Sequence, residues 1–226
     1  MQHNVNQQQN LLTKSFIKQY CLCCLFVFLV AVASYSNLKA NHLAISLIQY
    51  IFDRYNICFG LIPTLIIVLL STLKVSLNDV LCCQTRQVIA MQFRYRIVIN
   101  TIFIALVWLT TMAVLIFITN NYPSLMSILL SVLIRTVYFV LVLTEFGFIT
   151  ATVYLIIGNR LVTFFIVFSI NCFAFALNVN KKPSLFYDFI NSDFKTIVLS
   201  RMVILLVSLA FFNVMLNRVI KKKDFL

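Results

Sequence analysis

The sequence predicts an all-α integral membrane protein that crosses the bilayer about six times, with short amphipathic helices at the membrane surface. Of its 226 residues, 62% are hydrophobic and 11% are charged, whereas soluble domains are about half apolar and a quarter charged. Six separate apolar runs approach the length of about 20 residues that a spanning helix needs. A soluble fold of this composition would expose much of its apolar surface to water.

The chain is predicted to form a single transmembrane domain over residues 14–220. Residues 1–13 are polar and glutamine-rich and are expected to form a disordered cytoplasmic tail, and 221–226 a short basic one. Six spans leave no room for a soluble catalytic domain. They are predicted at about 17–34, 57–73, 97–119, 136–157, 161–178 and 198–217.

The segments outside and at the edges of the spans predict further structural features. Apolar residues at helical spacing in 42–54 and in 185–195 predict two amphipathic helices on the outer surface. Residues near 184–192 are expected to be accessible from outside. Pro63 is expected to kink the second span. Residues 74–96 are expected to form a polar, basic loop. The run 125–157 would be about 50 Å long as one helix. It predicts an outer helical segment followed by the fourth span, with one tilted helix or a re-entrant pair as alternatives.

The distribution of basic residues predicts that both termini are cytoplasmic. Lysine and arginine are commoner on the inner side of membrane proteins. The predicted inner side carries eleven of them and the outer side six: Lys14, Lys18, Lys74, Arg86, Arg94, Arg96, Arg160, Arg218, Lys221, Lys222 and Lys223 against Lys39, Arg54, Lys181, Lys182, Lys195 and Arg201. Because these residues flank apolar spans, the net charge of +12 predicts contacts with anionic lipid rather than nucleic acid.

Two ionisable residues lie within the long apolar run. Glu145 is the only acidic residue well inside a predicted span. An intramembrane carboxylate is costly and is by default a candidate functional site. The alternatives are a structural hydrogen bond to a neighbouring helix, or protonation of the carboxyl. Arg135 lies ten residues earlier, about 15 Å along a helix and about 80° around its axis, so the two are not expected to pair. Arg135 is expected to extend to the outer interface.

The basic segment 77–96 is the predicted docking surface for a soluble partner. One helical face carries Leu77, Val80, Leu81, Gln84 and Val88. Amphipathic helices insert a few apolar anchors into a partner's groove while nearby charges set orientation. Val80 and Leu81 are the predicted anchors, and Arg86 and Arg94 are candidate charged contacts. An ordinary interfacial helix ahead of a basic anchor is the alternative.

The sequence predicts no enzyme, cofactor or metal centre. It contains no P-loop, no HExxH motif and no GxSxG elbow. His3 and His42 fall on opposite predicted sides, and no histidine lies near the cysteine cluster at 21–24. Ion-coupled carriers usually have Gly- or Pro-broken helices at the binding site, and this chain has only three glycines.

The overall plan resembles the permease subunits of type-2 ABC exporters, especially those for bacteriocin or lantibiotic export and immunity. The likeness rests on length, six spans, internal termini, the basic loop 77–96, and the stretch 149–160 that runs directly into 161–178. It implies a bacterial plasma-membrane permease that pairs with a second permease or itself and with ATP-binding subunits. The exported substrate would be a hydrophobic or amphipathic peptide or a lipid-like molecule. A non-catalytic subunit of a larger complex, or a carrier or channel that uses Glu145, is the alternative.

Overall fold

The computed structural model describes residues 20–34, 47–73, 86–118, 122–190 and 194–222, which are nearly all helical and contain no β-strand. A π-helical turn, Ile57–Leu61, lies within the third helix, immediately before Pro63. In transmembrane helices, local π adjustments can satisfy the backbone groups that proline leaves without a hydrogen bond. The helices of this part of the chain are α1 (Tyr20–Ser34), α2 (Leu47–Ile51), α3 (Arg54–Thr72), α4 (Arg86–Ile118), α5 (Tyr122–Ile157), α6 (Arg160–Val179) and α7 (Phe194–Lys222).

The prediction of an all-α multi-pass membrane protein is confirmed. Five helices of the described chain contain stretches long and apolar enough to cross a bilayer, namely Arg54–Thr72, Gln87–Ile118, Leu129–Ile157, Arg160–Val179 and Ser200–Lys222. The described part of the first predicted span is the shorter apolar helix α1; residues 17–19 lie outside the described residues.

The long helix α5 is the centre of the bundle and packs against α3, α4, α6 and α7. Its buried face includes Tyr138, Phe139, Val142, Leu143 and Phe146, all 0% exposed. The separate outer segment that we predicted ahead of the fourth span is not present, because α5 is continuous from Tyr122 to Ile157. At 36 residues the helix is about 54 Å long, so it extends well beyond a hydrocarbon core of about 30 Å.

The prediction that residues 86–96 belong to a loop is wrong, because α4 begins at Arg86 and includes them. No glycine or proline interrupts this stretch, so nothing in it breaks the helix. Two of its basic side chains, Arg94 and Arg96, contact other helices. Arg96 donates to the Thr72 carbonyl at 2.7 Å, at the C-terminus of α3, where a positive charge is favourable. Residues 74–85 lie outside the described residues.

A tight turn joins α5 to α6, as the sequence predicts. Gly158 has a φ of +76°, a conformation that glycine adopts without strain. The Asn159 side chain then accepts from the backbone N–H of Leu161 and Val162, at 3.0 and 3.4 Å, and so caps α6. This turn lies at the end of the bundle that we call the basic end, which carries Arg94, Arg96, Arg160, Arg218, Lys221 and Lys222.

The predicted surface helix at 42–54 is seen only in part. Residues 47–51 form the short helix α2, and 42–46 lie outside the described residues. Ile51 and Phe52 are 3% and 0% exposed, and the buried Trp108 donates from Nε1 to the Ile51 carbonyl at 3.0 Å. These apolar residues therefore pack on the bundle rather than lie in lipid.

Candidate functional site

Glu145 lies near the middle of the apolar stretch Leu129–Ile157, as predicted for an intramembrane carboxylate. Its side chain is 1% exposed. Oε1 accepts a hydrogen bond from the Ser208 hydroxyl on α7. Oε2 is also buried and has no hydrogen-bond partner among the described residues. Glu145 therefore joins α5 to α7 while keeping one oxygen that could accept from a further donor.

The loop between α6 and α7 folds onto the bundle at the end opposite the basic end. We call residues 180–190 the cap. It turns at Lys181, whose φ is +56°, and ends in the 3-10 turn Asp188–Ile190. Ser184, Tyr187, Asp188 and Phe189 are at most 7% exposed. The prediction of an accessible amphipathic surface helix is therefore wrong for the described part, 185–190.

Polar residues of α6 hold the cap from one side. The Tyr187 hydroxyl donates to Asn171 Oδ1 at 2.5 Å, and Asn171 Nδ2 donates to the Cys58 carbonyl at 2.9 Å. The Ser184 hydroxyl donates to the Ala174 carbonyl at 2.8 Å. Because protein partners satisfy the hydroxyl groups of Ser184 and Tyr187, these two residues of the cap can be buried in the bundle.

The Phe189 ring is the centre of the apolar contact beneath the cap. Its centroid lies 5.7 Å from that of Phe52, 5.7 Å from that of Tyr138 and 5.8 Å from that of Phe139. The Tyr138 hydroxyl donates to the Leu185 carbonyl at 2.6 Å. The cap is therefore fixed to α5 by both ring packing and hydrogen bonding.

Two arginines complete the site, and one of them is not where the sequence predicts it. Arg135 was expected at the outer interface, but it is 4% exposed and donates to the Phe189 carbonyl. Extending to the interface would leave that buried carbonyl without this donor, which is costly. Arg201 of α7 places Nε 3.3 Å from Asp188 Oδ2, while Asp188 Oδ1 accepts from the Ser184 N–H at 3.0 Å.

Burial raises the pKa of the Asp188 carboxyl, while the Ser184 N–H and Arg201 lower it. The contact with Arg201 is an ion pair without hydrogen-bond geometry, since Oδ2 has no hydrogen-bond partner among the described residues. Such a pair depends mainly on Coulomb attraction across the short distance.

The predicted docking residues are described only in part. Val80 and Leu81 lie outside the described residues, and Arg86 begins α4 without a described side chain. Arg94 is half-buried and donates to Asn217 Oδ1 on α7 at 2.5 Å. The docking role of these residues stays a prediction.

Sequence reasoning missed the cap because its residues contact partners distant in the chain. One signal was present: Asn171 and Asn178 lie seven residues apart, on one face of an apolar helix. Both are buried, and both bond to Tyr187, Asn178 through the Tyr187 carbonyl at 3.4 Å.

Within the part of the chain that the structure describes, no three His, Cys, Asp or Glu side chains are grouped so that they could hold a metal ion. The chain matches no protein-family model, no curated protein and no solved structure. Its function is therefore inferred from its residues and their geometry.

Proposed function

We propose that the protein is the membrane-spanning permease subunit of an exporter for a hydrophobic or amphipathic substrate such as a peptide. A separate ATP-binding subunit supplies the energy. The observation that carries the proposal is that most of the described residues belong to a membrane-length helix or to the cap. In this proposal the driving force for transport comes from a partner subunit.

In this proposal both termini are cytoplasmic and the membrane is the bacterial plasma membrane. The basic end then faces the cytoplasm, in accord with the excess of lysine and arginine on inner loops, and the cap closes the outer end. A second permease, identical or different, completes the pathway. The cap supports this arrangement because an ion pair and hydrogen bonds, which can be broken and remade, hold it in place.

Docking of the ATP-binding subunit is assigned to the cytoplasmic segment around Val80 and Leu81, with Arg86 at its rim. Arg94 is engaged with Asn217 inside the bundle, which favours the two apolar residues as the anchors. Truncating a buried anchor costs about 2 kcal/mol or more, roughly thirty-fold in affinity.

The test is purification of the tagged protein from its native membrane in mild detergent, a search for a co-purifying Walker-motif ATPase, and reconstitution of any such complex into liposomes. We expect a complex whose ATP hydrolysis is stimulated by an amphipathic peptide. Val80→Asp combined with Leu81→Asp should abolish co-purification, whereas Arg86→Ala should weaken it modestly and mainly slow association. Equal membrane insertion of all variants is the control. A stoichiometric ATPase retained by the double variant would remove this segment from the interface, and no ATPase with the parent protein would count against the exporter.

The free oxygen of Glu145 supports a second candidate, an ion-coupled carrier. A buried carboxylate whose Oε2 has no hydrogen-bond partner among the described residues could accept a coupling proton. Glu145→Gln separates the two functions. The exporter should transport nearly as well with glutamine, because Oε1 is replaced by an amide oxygen that still accepts from Ser208. A carrier should lose transport together with its pH dependence.

A further inference from the structure

A groove at the basic end has no role in the proposed transport function. It lies between the first turns of α4 and the last turns of α7 and encloses about 340 Å³. Arg94, Asn217 and Lys221 supply its principal polar groups, and the buried Ala90 and Ile220 form part of its apolar wall. A cavity of this size can take a small charged group but not a folded segment.

The electrostatics of the groove favour an anion. Arg94 Nε is buried and has no hydrogen-bond acceptor among the described residues. Asn217 Oδ1 accepts from the guanidinium and so orients it. The described acidic residues are Asp53, Glu145 and Asp188. Asp53 and Asp188 lie toward the cap. Glu145 lies twelve residues before the end of α5, which places it about 18 Å along the helix from the basic end. The acidic residues of the described chain therefore lie away from the groove.

The surroundings of the groove indicate where the anion comes from. Met91 lines it and is 72% exposed, and on α4 Val88 and Tyr95 are also exposed. In a membrane-spanning helix such residues face lipid. Arg94 lies eight residues into α4, about 12 Å from its start. Asn217 and Lys221 lie in the last two turns of α7. The charged wall is thus near helix ends, where headgroups lie, and beside an apolar surface suited to acyl chains.

We propose that this groove binds the phosphate-bearing headgroup of an anionic phospholipid, with Arg94 and Lys221 as its cationic contacts and the lipid-facing surface of α4 beside its acyl chains. Basic pockets between transmembrane helices bind headgroups in this way. By bridging α4 and α7, the lipid stabilises the folded bundle. This inference does not depend on the transport function.

The experiment uses the purified full-length protein, delipidated in mild detergent. Short-chain phosphatidylglycerol, short-chain phosphatidylcholine and inorganic phosphate are titrated separately at equal concentrations. The rise in melting temperature gives an apparent affinity, and mass spectrometry of the intact complex counts bound lipid. Phosphatidylglycerol should stabilise the protein and appear as one retained lipid, while the other two should not. Equal stabilisation by phosphatidylcholine, or the full effect from phosphate alone, would overturn the assignment.

Lys221 and Lys222 provide a matched pair of variants, because both are exposed and only Lys221 lines the groove. Lys221→Gln should weaken the apparent affinity for phosphatidylglycerol about five-fold, the usual effect of one lysine near a headgroup, and Lys222→Gln should not. Arg94→Gln should weaken it about ten-fold. Arg94→Gln also removes the hydrogen bond to Asn217 and could therefore unfold the protein. In that case the comparison of the two lysine variants still tests the proposal. Equal losses for the two lysines would show non-specific attraction and contradict a defined site.

Discussion

Removing the Arg201 side chain should loosen the cap and destabilise the protein. The Arg201 guanidinium lies 3.3 Å from the Asp188 carboxylate, which is 8% exposed. Arg201→Ala therefore leaves a buried carboxylate with one remaining hydrogen bond, from the Ser184 N–H. Asp188→Asn is the matching change, because the amide oxygen can still accept from Ser184 while the charge is gone.

The magnitude follows from the distance and the exposure of the pair. At 3.3 Å, an effective dielectric constant of about 20 gives a gross attraction of about 5 kcal/mol. Water screens part of it, since the Arg201 side chain is 29% exposed. We expect Arg201→Ala to lower the free energy of unfolding by about 2 kcal/mol. In the Asp188→Asn background the same change should cost less than about 0.5 kcal/mol, so the double-mutant cycle yields a coupling of at least about 1.5 kcal/mol.

The pH dependence of this cost has a definite sign. Burial raises the pKa of Asp188 in the folded protein, and loss of Arg201 removes an opposing influence. A carboxyl with a raised folded pKa destabilises the fold above that pKa, and the penalty disappears as pH falls toward the unfolded value. The cost of Arg201→Ala should therefore be largest at neutral pH and shrink on acidification.

Two assays check these expectations. Denaturant unfolding in detergent micelles measures the free energies across pH. Thiol labelling of Ser184→Cys, in a background without the native cysteines, measures exposure of the cap, and we expect faster labelling when Arg201 is replaced. A coupling near zero, or a cost that grows on acidification, would refute the role assigned to the ion pair.

Three further changes test packing and hydrogen bonding by the same unfolding measurement. Gly147→Ala would place a Cβ 2.6 Å from Cγ2 of Ile97, and the overpacking should cost about 1–3 kcal/mol; an unchanged stability would contradict the close approach of α4 and α5. Ser208→Ala leaves Glu145 Oε1 without its donor and should cost about 1–3 kcal/mol, an effect that must vanish once Glu145 is replaced by leucine. Trp108→Phe removes a buried N–H donor and part of a ring and should cost about 2 kcal/mol, so a neutral result would exclude the bond to α2.

The membrane fold could be predicted because lipid imposes a local rule. Each span must be a continuous apolar helix of sufficient length, and this can be read without knowledge of any partner segment. The same local reasoning located the turn at Gly158 and the carboxylate of Glu145. It failed at residues 86–96, where polar composition was taken for a loop although nothing in the stretch breaks a helix.

The cap shows why the rest of the site could not be read from the sequence. The pattern of 185–190 is amphipathic, and such a pattern fits equally well against lipid or against protein. The segment packs against protein because residues distant in the chain supply its polar partners. Arg135 bonds to the Phe189 carbonyl, Asn171 to the Tyr187 hydroxyl, and Arg201 pairs with Asp188.

By itself the sequence determined that this protein is a helical, multi-pass membrane protein with a carboxylate inside its bundle, because hydrophobic length and composition are local properties. Only the tertiary structure decided that Arg135 is buried, that Glu145 bonds to Ser208, that the cap closes one end, and that Arg94 lines a groove at the other. Each of these depends on side chains that helix packing brings together, since an arginine or a carboxylate can be buried only where distant residues supply its partners.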